Sequence, residues 1–373
     1  MLSSSASRLT PGLLVFLLAG TLSASACDSS DDGPADSACA GGQNCLEGGD
    51  AGSGGDAGTG GPGAGARTIT HGSQLTLADV GPAGIGISSF TNVSGGTFTG
   101  TALSGWGSLA RTVGAGGETI DGFTFPQGTV VLQGANLTSR VTVNSGWIVL
   151  RGCKGGILLN HPTGNGGGGA ALFSELTDFN TVGAKDGRQP AKAICHRCSF
   201  PHSGLENVYS NNVTITESWI AVDPGGAGDH VDGIQTWGGQ SSLDFSRNRL
   251  QWNGAWNQTQ SGLIAMYSDG AQGGFDGYDR VTVKDNYIVI GLGGGIGLHA
   301  PMAVPVTNMV VTGNRWAWSS DFSDPYYTPA VYRSAGTANY KTGGNAWSDN
   351  RWADGPYANQ FLHPDNSTRA TDY

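Results

Sequence analysis

The chain has 373 residues, of which 64 are Gly and 13% are charged, with a formal net charge of −10. Ordinary globular chains hold about 7% Gly and about 25% charged residues. This composition excludes a helical bundle, since each Gly inside a helix costs roughly 1 kcal/mol relative to Ala. It excludes collagen, which needs a strict triplet of Gly, and it lacks the clustered basic residues of a nucleic-acid footprint.

Residues 1–26 read as a secretory signal. Arg8 supplies the leading charge, Leu13–Leu18 the apolar run and Ala24-Ser25-Ala26 a small-residue cleavage site. The run is too short to span a bilayer. Cys27 follows directly and resembles the acylated Cys of a bacterial lipoprotein, although Ala24 stands where that signal prefers Leu. Lipidation of Cys27 is one expectation and plain secretion with a free Cys27 is the other. Either places the chain outside the cytoplasm, in the cell envelope or beyond it.

Residues 27–66 read as a flexible tether. From Asp28 to Ala66 there are 13 Gly, seven acids, no Lys or Arg and no aromatic ring. Such a segment cannot bury enough apolar surface to offset its ordering entropy. The acidity of the chain therefore belongs mainly to this segment, and residues 67–373 form the nearly balanced folded domain. Cys39 and Cys45 lie within the tether, at a spacing that export would allow to close as a small disulfide loop.

The domain carries a repeat. An apolar–any–apolar triplet is followed, three residues on, by Asn or Ser and then another apolar position. It reads Val213-Thr-Ile215 with Ser218, Leu243-Asp-Phe245 with Asn248, Val281-Thr-Val283 with Asn286, and Met309-Val-Val311 with Asn314. A looser copy ends at Asn350, and earlier copies place Cys153 and Cys198 at the Asn position. A Gly-led pattern intervenes at Gly204-Leu205-Glu206, Gly233-Ile234-Gln235, Gly262-Leu263-Ile264 and Gly295-Ile296-Gly297, at steps of 29, 29 and 33 residues. Each period holds at least two short strands, and a period of this length demands stacking of successive copies. A coil of parallel strands fits better than a propeller, whose blades need about 40 residues. Side chains of one column then stack about 4.8 Å apart, with apolar residues inward and Asn248, Asn286 and Asn314 laddered inward or at a corner.

These repeats make the chain similar to the right-handed parallel β-helix proteins of the pectate-lyase-like superfamily. Within it the chain resembles a group of secreted bacterial proteins marked by His-x-Asp-Gly-Ile-Gln, here His230-Val231-Asp232-Gly233-Ile234-Gln235, with the shared segment Ile120–Phe125. The resemblance covers roughly residues 75–355. It implies an all-β fold, one single-stranded right-handed parallel β-helix, and a polysaccharide as substrate or ligand, with a monomer as the expected state. It does not choose a reaction, because the superfamily includes lyases, hydrolases, epimerases and adhesins.

Aligning the Gly-led copies predicts one outward column of Glu206, Gln235, Ile264 and Gly297, and a second of Val208, Trp237, Met266 and His299. Just before Gly233, a Gly-rich loop carries Asp229, His230 and Asp232. Acids flanking a His suit acid–base chemistry, or Ca²⁺ bound through oxygens of Asp229 and Asp232. The structural reading is that Asp232 caps a turn. Asp232, His230, Asp229 and Glu206 are the catalytic candidates; Gln235, Trp237, Tyr267, His299 and Arg333 are the substrate-binding ones. Three readings stay open: a lyase acting on a uronic-acid polymer by β-elimination, a glycoside hydrolase using Asp232 and Glu206 at the ~5–9.5 Å such pairs need, and a non-catalytic carbohydrate-binding or adhesive protein. The polygalacturonase-like pattern carries an acid pair one turn later, but here that segment reads Ser261-Gly262-Leu263-Ile264. The pectate-lyase Ca²⁺ cluster is not recognisable either. Finally, Cys153 and Cys198 share a repeat position and are expected to form a disulfide, with Cys195 as a competing partner.

Overall fold

The chain divides into two units, Met1–Gly58 and Thr59–Tyr373. The computed structural model describes residues of the second unit only: 69–362 apart from 77, 83–84, 102, 104, 161–166, 183–191, 225–230, 238, 255–261, 268–276, 290–295, 300–305, 319–330 and 334–342. The described part is all-β, dominated by two long sheets of mostly parallel strands.

Pairing follows a period of three. Val213–Thr216, Trp219–Val222 and Asp232–Trp237 are followed by Gln240–Ser246, Arg249–Trp252 and Gly262–Tyr267, then by Tyr278–Lys284, Tyr287–Val289 and Ile296–His299. Each strand pairs in parallel with the strand three places later. The period of at least two strands expected from sequence holds three. The third went unseen because the bend between the first and second strands takes a single residue and carries no Gly or Pro signal in most copies.

That bend recurs eight times with one geometry. A residue of positive φ comes first and the repeat's Asn, Ser or Cys comes second. Gly152 (φ 54), Phe173 (50), Arg197 (52), Glu217 (52), Arg247 (57), Asp285 (55), Gly313 (71) and Asp349 (48) precede Cys153, Ser174, Cys198, Ser218, Asn248, Asn286, Asn314 and Asn350. Six of the eight accept a left-handed backbone without being Gly, which costs of order 1–2 kcal/mol each. The ladder beside them offsets that strain. Asn248 N–H donates to Asn286 Oδ1 (2.8 Å), Asn286 N–H to Asn314 Oδ1 (2.9 Å) and Asn314 N–H to Asn350 Oδ1 (3.1 Å). Each Asn Nδ2 donates back to a carbonyl of the first strand of the preceding turn: Ile215, Phe245, Val283 and Val311. The first three Asn are 0% exposed, so every one of these groups needs a partner inside the protein.

The same corner corrects the expected disulfide. Cys153, Cys195 and Cys198 are buried free thiols. A whole strand, Gly168–Leu172, pairs between Trp147–Arg151 and Lys192–His196, so Ser174 stands between Cys153 and Cys198 in the ladder. Two strand spacings, about 9.6 Å, exceed the ~7 Å Cα reach of a disulfide. Cys153 N–H donates to Ser174 Oγ (3.0 Å) and Cys198 N–H to Ser218 Oγ (3.1 Å).

Alternation fills the core. Leu132, Leu150, Ala171, Cys195, Ile215, Phe245, Val283 and Val311 form one column by register, all 0–1% exposed. Gly169 keeps the parallel column open for Leu159, whose Cδ2 would lie 2.4 Å from a Cβ there. The shared segment Ile120–Phe125 proves to be an antiparallel hairpin, Glu118–Ile120 with Phe123–Phe125, turning through Asp121 (φ 49) and Gly122 (φ 87). Two positive φ values in a two-residue loop are the requirement of a type I′ turn. Its Ile120 and Phe125 pack on Val131, Val149, Ala170 and Ile194, which lie at register positions alternate to the core column. The segment near residue 70 runs back across later turns: Arg249 donates to Leu75 O, Gln74 to Ala353 O and Gly81 N–H to Glu217 O.

Candidate functional site

The strands Leu205–Val208, Asp232–Trp237, Gly262–Tyr267, Ile296–His299 and Val331–Arg333 form one parallel ladder. Ile234, Thr236, Ile264 and Met266 are 0% exposed and fix which positions point to the core. Thr236 Oγ1 is satisfied there by Tyr278 Oη at 3.0 Å.

Register keeps Gln235 with Gly297 and Trp237 with His299, as expected, and corrects the Gly262 copy and Val208 by one residue. Gly262 pairs with Asp232 rather than with Gly233, so Gln235 stands with Ala265, Gly297 and Tyr332 rather than with Ile264. Trp237 stands with Tyr267 and His299, while Met266 stands with Thr236, Leu298 and Arg333. Three expected binding residues, Trp237, Tyr267 and His299, therefore share one register position on successive strands. Arg333 takes a position of the core column instead. Glu206 and Asn207 stand together opposite Gln235, because the pairings Leu205–Ile234 and Val208–Thr236 leave two residues against one. Such a bulge re-aims a side chain where a sheet borders a site.

Asp232 is 1% exposed, and its Oδ1 accepts the Gly262 N–H of the next strand at 3.1 Å. The backbone around it is crowded, since a Cβ at Gly204 would lie 1.9 Å from Asp232 O. The bond to Gly262 N–H clamps strand Asp232–Trp237 to strand Gly262–Tyr267 rather than capping a turn. Asp229 and His230 lie outside the described residues, and with them the expected catalytic pair and Ca²⁺ pair. Among the described residues no group of three His, Cys, Asp or Glu side chains is arranged to hold a metal.

Three features were not singled out from sequence. Tyr209 follows Val208 as Trp237 follows Thr236, so it extends the Trp237–Tyr267–His299 position by one strand. Its N–H bonds Thr181 O and Oγ1, and burial pushes its phenol pKa up. His202 Nδ1 lies 2.9 Å from Asp223 Oδ2, and Asn253 Nδ2 donates to Asp223 Oδ1 at 2.8 Å. His202 and Asp223 come from consecutive turns, just before the strands Leu205–Val208 and Asp232–Trp237. The pairing orients an exposed imidazole beside this ladder. Asp178, on the preceding strand Glu175–Val182, is half-buried above Gly156, where a Cβ would meet its Oδ1 at 2.2 Å. Burial raises its pKa against Arg140, whose Nη1 lies 3.4 Å from Oδ2, and Oδ1 finds no hydrogen-bond partner among the described residues. A carboxyl whose pKa is raised in this way is a candidate proton donor. The only sequence signal for His202 and Tyr209 was their closeness to Gly204-Leu205-Glu206, and Asp178 had none.

No family model, no curated protein and no solved structure matches this chain.

Proposed function

We propose that residues 67–373 are a right-handed parallel β-helix, and that the exported protein binds and cleaves a uronic-acid-containing polysaccharide by β-elimination. The observation that carries this reading is the single register position of Trp237, Tyr267 and His299 on three successive parallel strands, extended by Tyr209, the residue that follows strand Leu205–Val208. Strand spacing sets those four about 14 Å from first to last. A row of rings at that spacing suits the apolar faces of successive sugar units, and the neighbouring Glu206, Asn207 and Gln235 suit their hydroxyls. β-Elimination takes the proton beside a uronate carboxylate. His202, held by Asp223, or His230, two residues before strand Asp232–Trp237 in sequence, is the base, and Arg140 is a cation for the carboxylate.

A second reading has its own support. Asp178, with its raised pKa, would be the general acid of a glycoside hydrolase and Glu206 the second carboxyl, which is how unequal environments divide such a pair. Non-catalytic binding remains the third. Export rests on residues 1–26, with Cys27 acylated and residues 27–66 as the tether; labelling with a radioactive fatty acid, lost in Cys27→Ala, tests it.

Incubating the full chain with a panel of uronic and neutral polysaccharides separates these readings. Ultraviolet absorbance of an unsaturated uronate is the expected result. New reducing ends without that absorbance select the hydrolase, and binding without product selects the third reading. Neither binding nor product on any polymer overturns the proposal.

A further inference from the structure

We propose that Cys195 and Cys198 are a dithiol that closes into a disulfide when the chain folds under oxidising conditions. Cys195 is the penultimate residue of strand Lys192–His196, and Cys198 is the ladder residue beyond the bend. Arg197, at φ 52, turns the chain between them. Both are 0% exposed.

The Cys195 side chain and the Cys198 backbone meet at one hydroxyl, while Cys198 Sγ donates to Ala171 O at 3.3 Å and to His196 O at 3.6 Å. Ser218 Oγ lies 4.0 Å from Cys195 Sγ and accepts the Cys198 N–H at 3.1 Å. Burial, then the adjacent Cys198 thiol, holds Cys195 well above the ordinary thiol range. At the seven other bends the residue three before the ladder position is Leu150, Ala171, Ile215, Phe245, Val283, Val311 or Trp347. This bend is therefore the one among the eight that carries a Cys both at the ladder position and three residues before it. Cys153 has Leu150 in that place, so although its Sγ donates to Leu132 O as Cys198 Sγ does to Ala171 O, no second thiol stands three residues before it.

The chemistry is thiol–disulfide exchange with a small-molecule disulfide. The thiolate of one Cys attacks the reagent and releases one thiolate. The second Cys then displaces the other half, so two electrons and two protons pass from the protein to two released thiols. A buried protonated thiol is inert, so the exchange precedes the seating of Ser218 over the pair.

The test uses the full chain, refolded from reductant and denaturant with glutathione disulfide and glutathione. Free thiols are then blocked and the protein is digested with trypsin without reduction. Cleavage after Lys192, Arg197 and Arg247 separates the two cysteines, so the disulfide leaves fragment 193–197 joined to 198–247. Fragment 152–154 carries the blocking group on Cys153. The joined pair must persist in Cys153→Ser. If refolding fails, the same digest on chain purified from an oxidising compartment, blocked before lysis, gives the same readout. Fragments 193–197 and 198–247 each separately blocked would overturn the proposal. So would either one joined to a fragment carrying any other Cys.

Discussion

Two regions of one repeating strand system carry different work. At the corner, from Cys153 to Asn350, successive residues bond to one another and to the backbone of the neighbouring turn. At the position of Tyr209, Trp237, Tyr267 and His299, successive residues share register, but their types are rings, which need no such closure. The corner is built of short polar side chains because it must satisfy buried N–H and C=O groups beside a strained bend. The ring position is defined by register alone, and under the proposed function its residue types answer to a ligand. Stability and function should therefore separate cleanly between the two.

Within the corner, Asn and the smaller residues differ in reach. Asn spans two bonds to the preceding turn, as Asn286 Oδ1 accepts the Asn248 N–H and Nδ2 donates to Phe245 O, whereas Ser218 Oγ donates two residues back to Thr216 O (3.0 Å) and accepts from Cys198. The largest expected effect is thus at the Asn end. Asn286→Ala strands the Asn248 N–H and the Phe245 carbonyl in a dry corner, and we expect a loss of about 3 kcal/mol in denaturant unfolding. A loss under ~0.5 kcal/mol would break the comparison. Ser218→Ala removes a single acceptor and should cost about 1 kcal/mol by the same measurement.

A smaller effect sharpens the contrast between the two ends of the corner. His196, beside Cys198, lies edge-on to Phe123 and Phe173 and bonds Thr216 Oγ1 through Nδ1 at 2.9 Å. Burial first, with Arg197 and Arg247 adding and Glu217 and Asp121 opposing, holds its pKa below the ordinary histidine value. The unfolded chain then binds more protons at His196 than the folded one. Stability is intact above the unfolded pKa, near ~6.5, and falls as pH drops from there toward the lowered folded value. His196→Gln should flatten the stability–pH curve in that window; an unchanged slope would contradict the assignment.

The corner was legible in sequence because its Asn, Ser and Cys recur at one offset from an apolar triplet. The count of strands was not, since charged residues such as Arg197, Glu217, Arg247, Asp285 and Asp349 make the left-handed bend that Gly usually signals. The ring position was half legible. Trp237 and His299 were aligned together, but Gly alignment put Met266 where Tyr267 stands. Register between parallel strands is set by pairing and bulges, as at Glu206 and Asn207, and not by a shared Gly. Tyr209 was missed because it lies beyond the Gly-led motif. The His202–Asp223 pair was missed because its members are 21 residues apart and meet only when turns stack.

The most direct test of the division between corner and ring position is a paired measurement on Trp237→Ala and Tyr267→Ala. Thermal midpoint and affinity for whichever uronic polymer the panel identifies are read on the same preparations. The account predicts a midpoint within a few degrees of the parent and at least a tenfold loss of affinity in each variant. Parent-like affinity in both folded variants would contradict it.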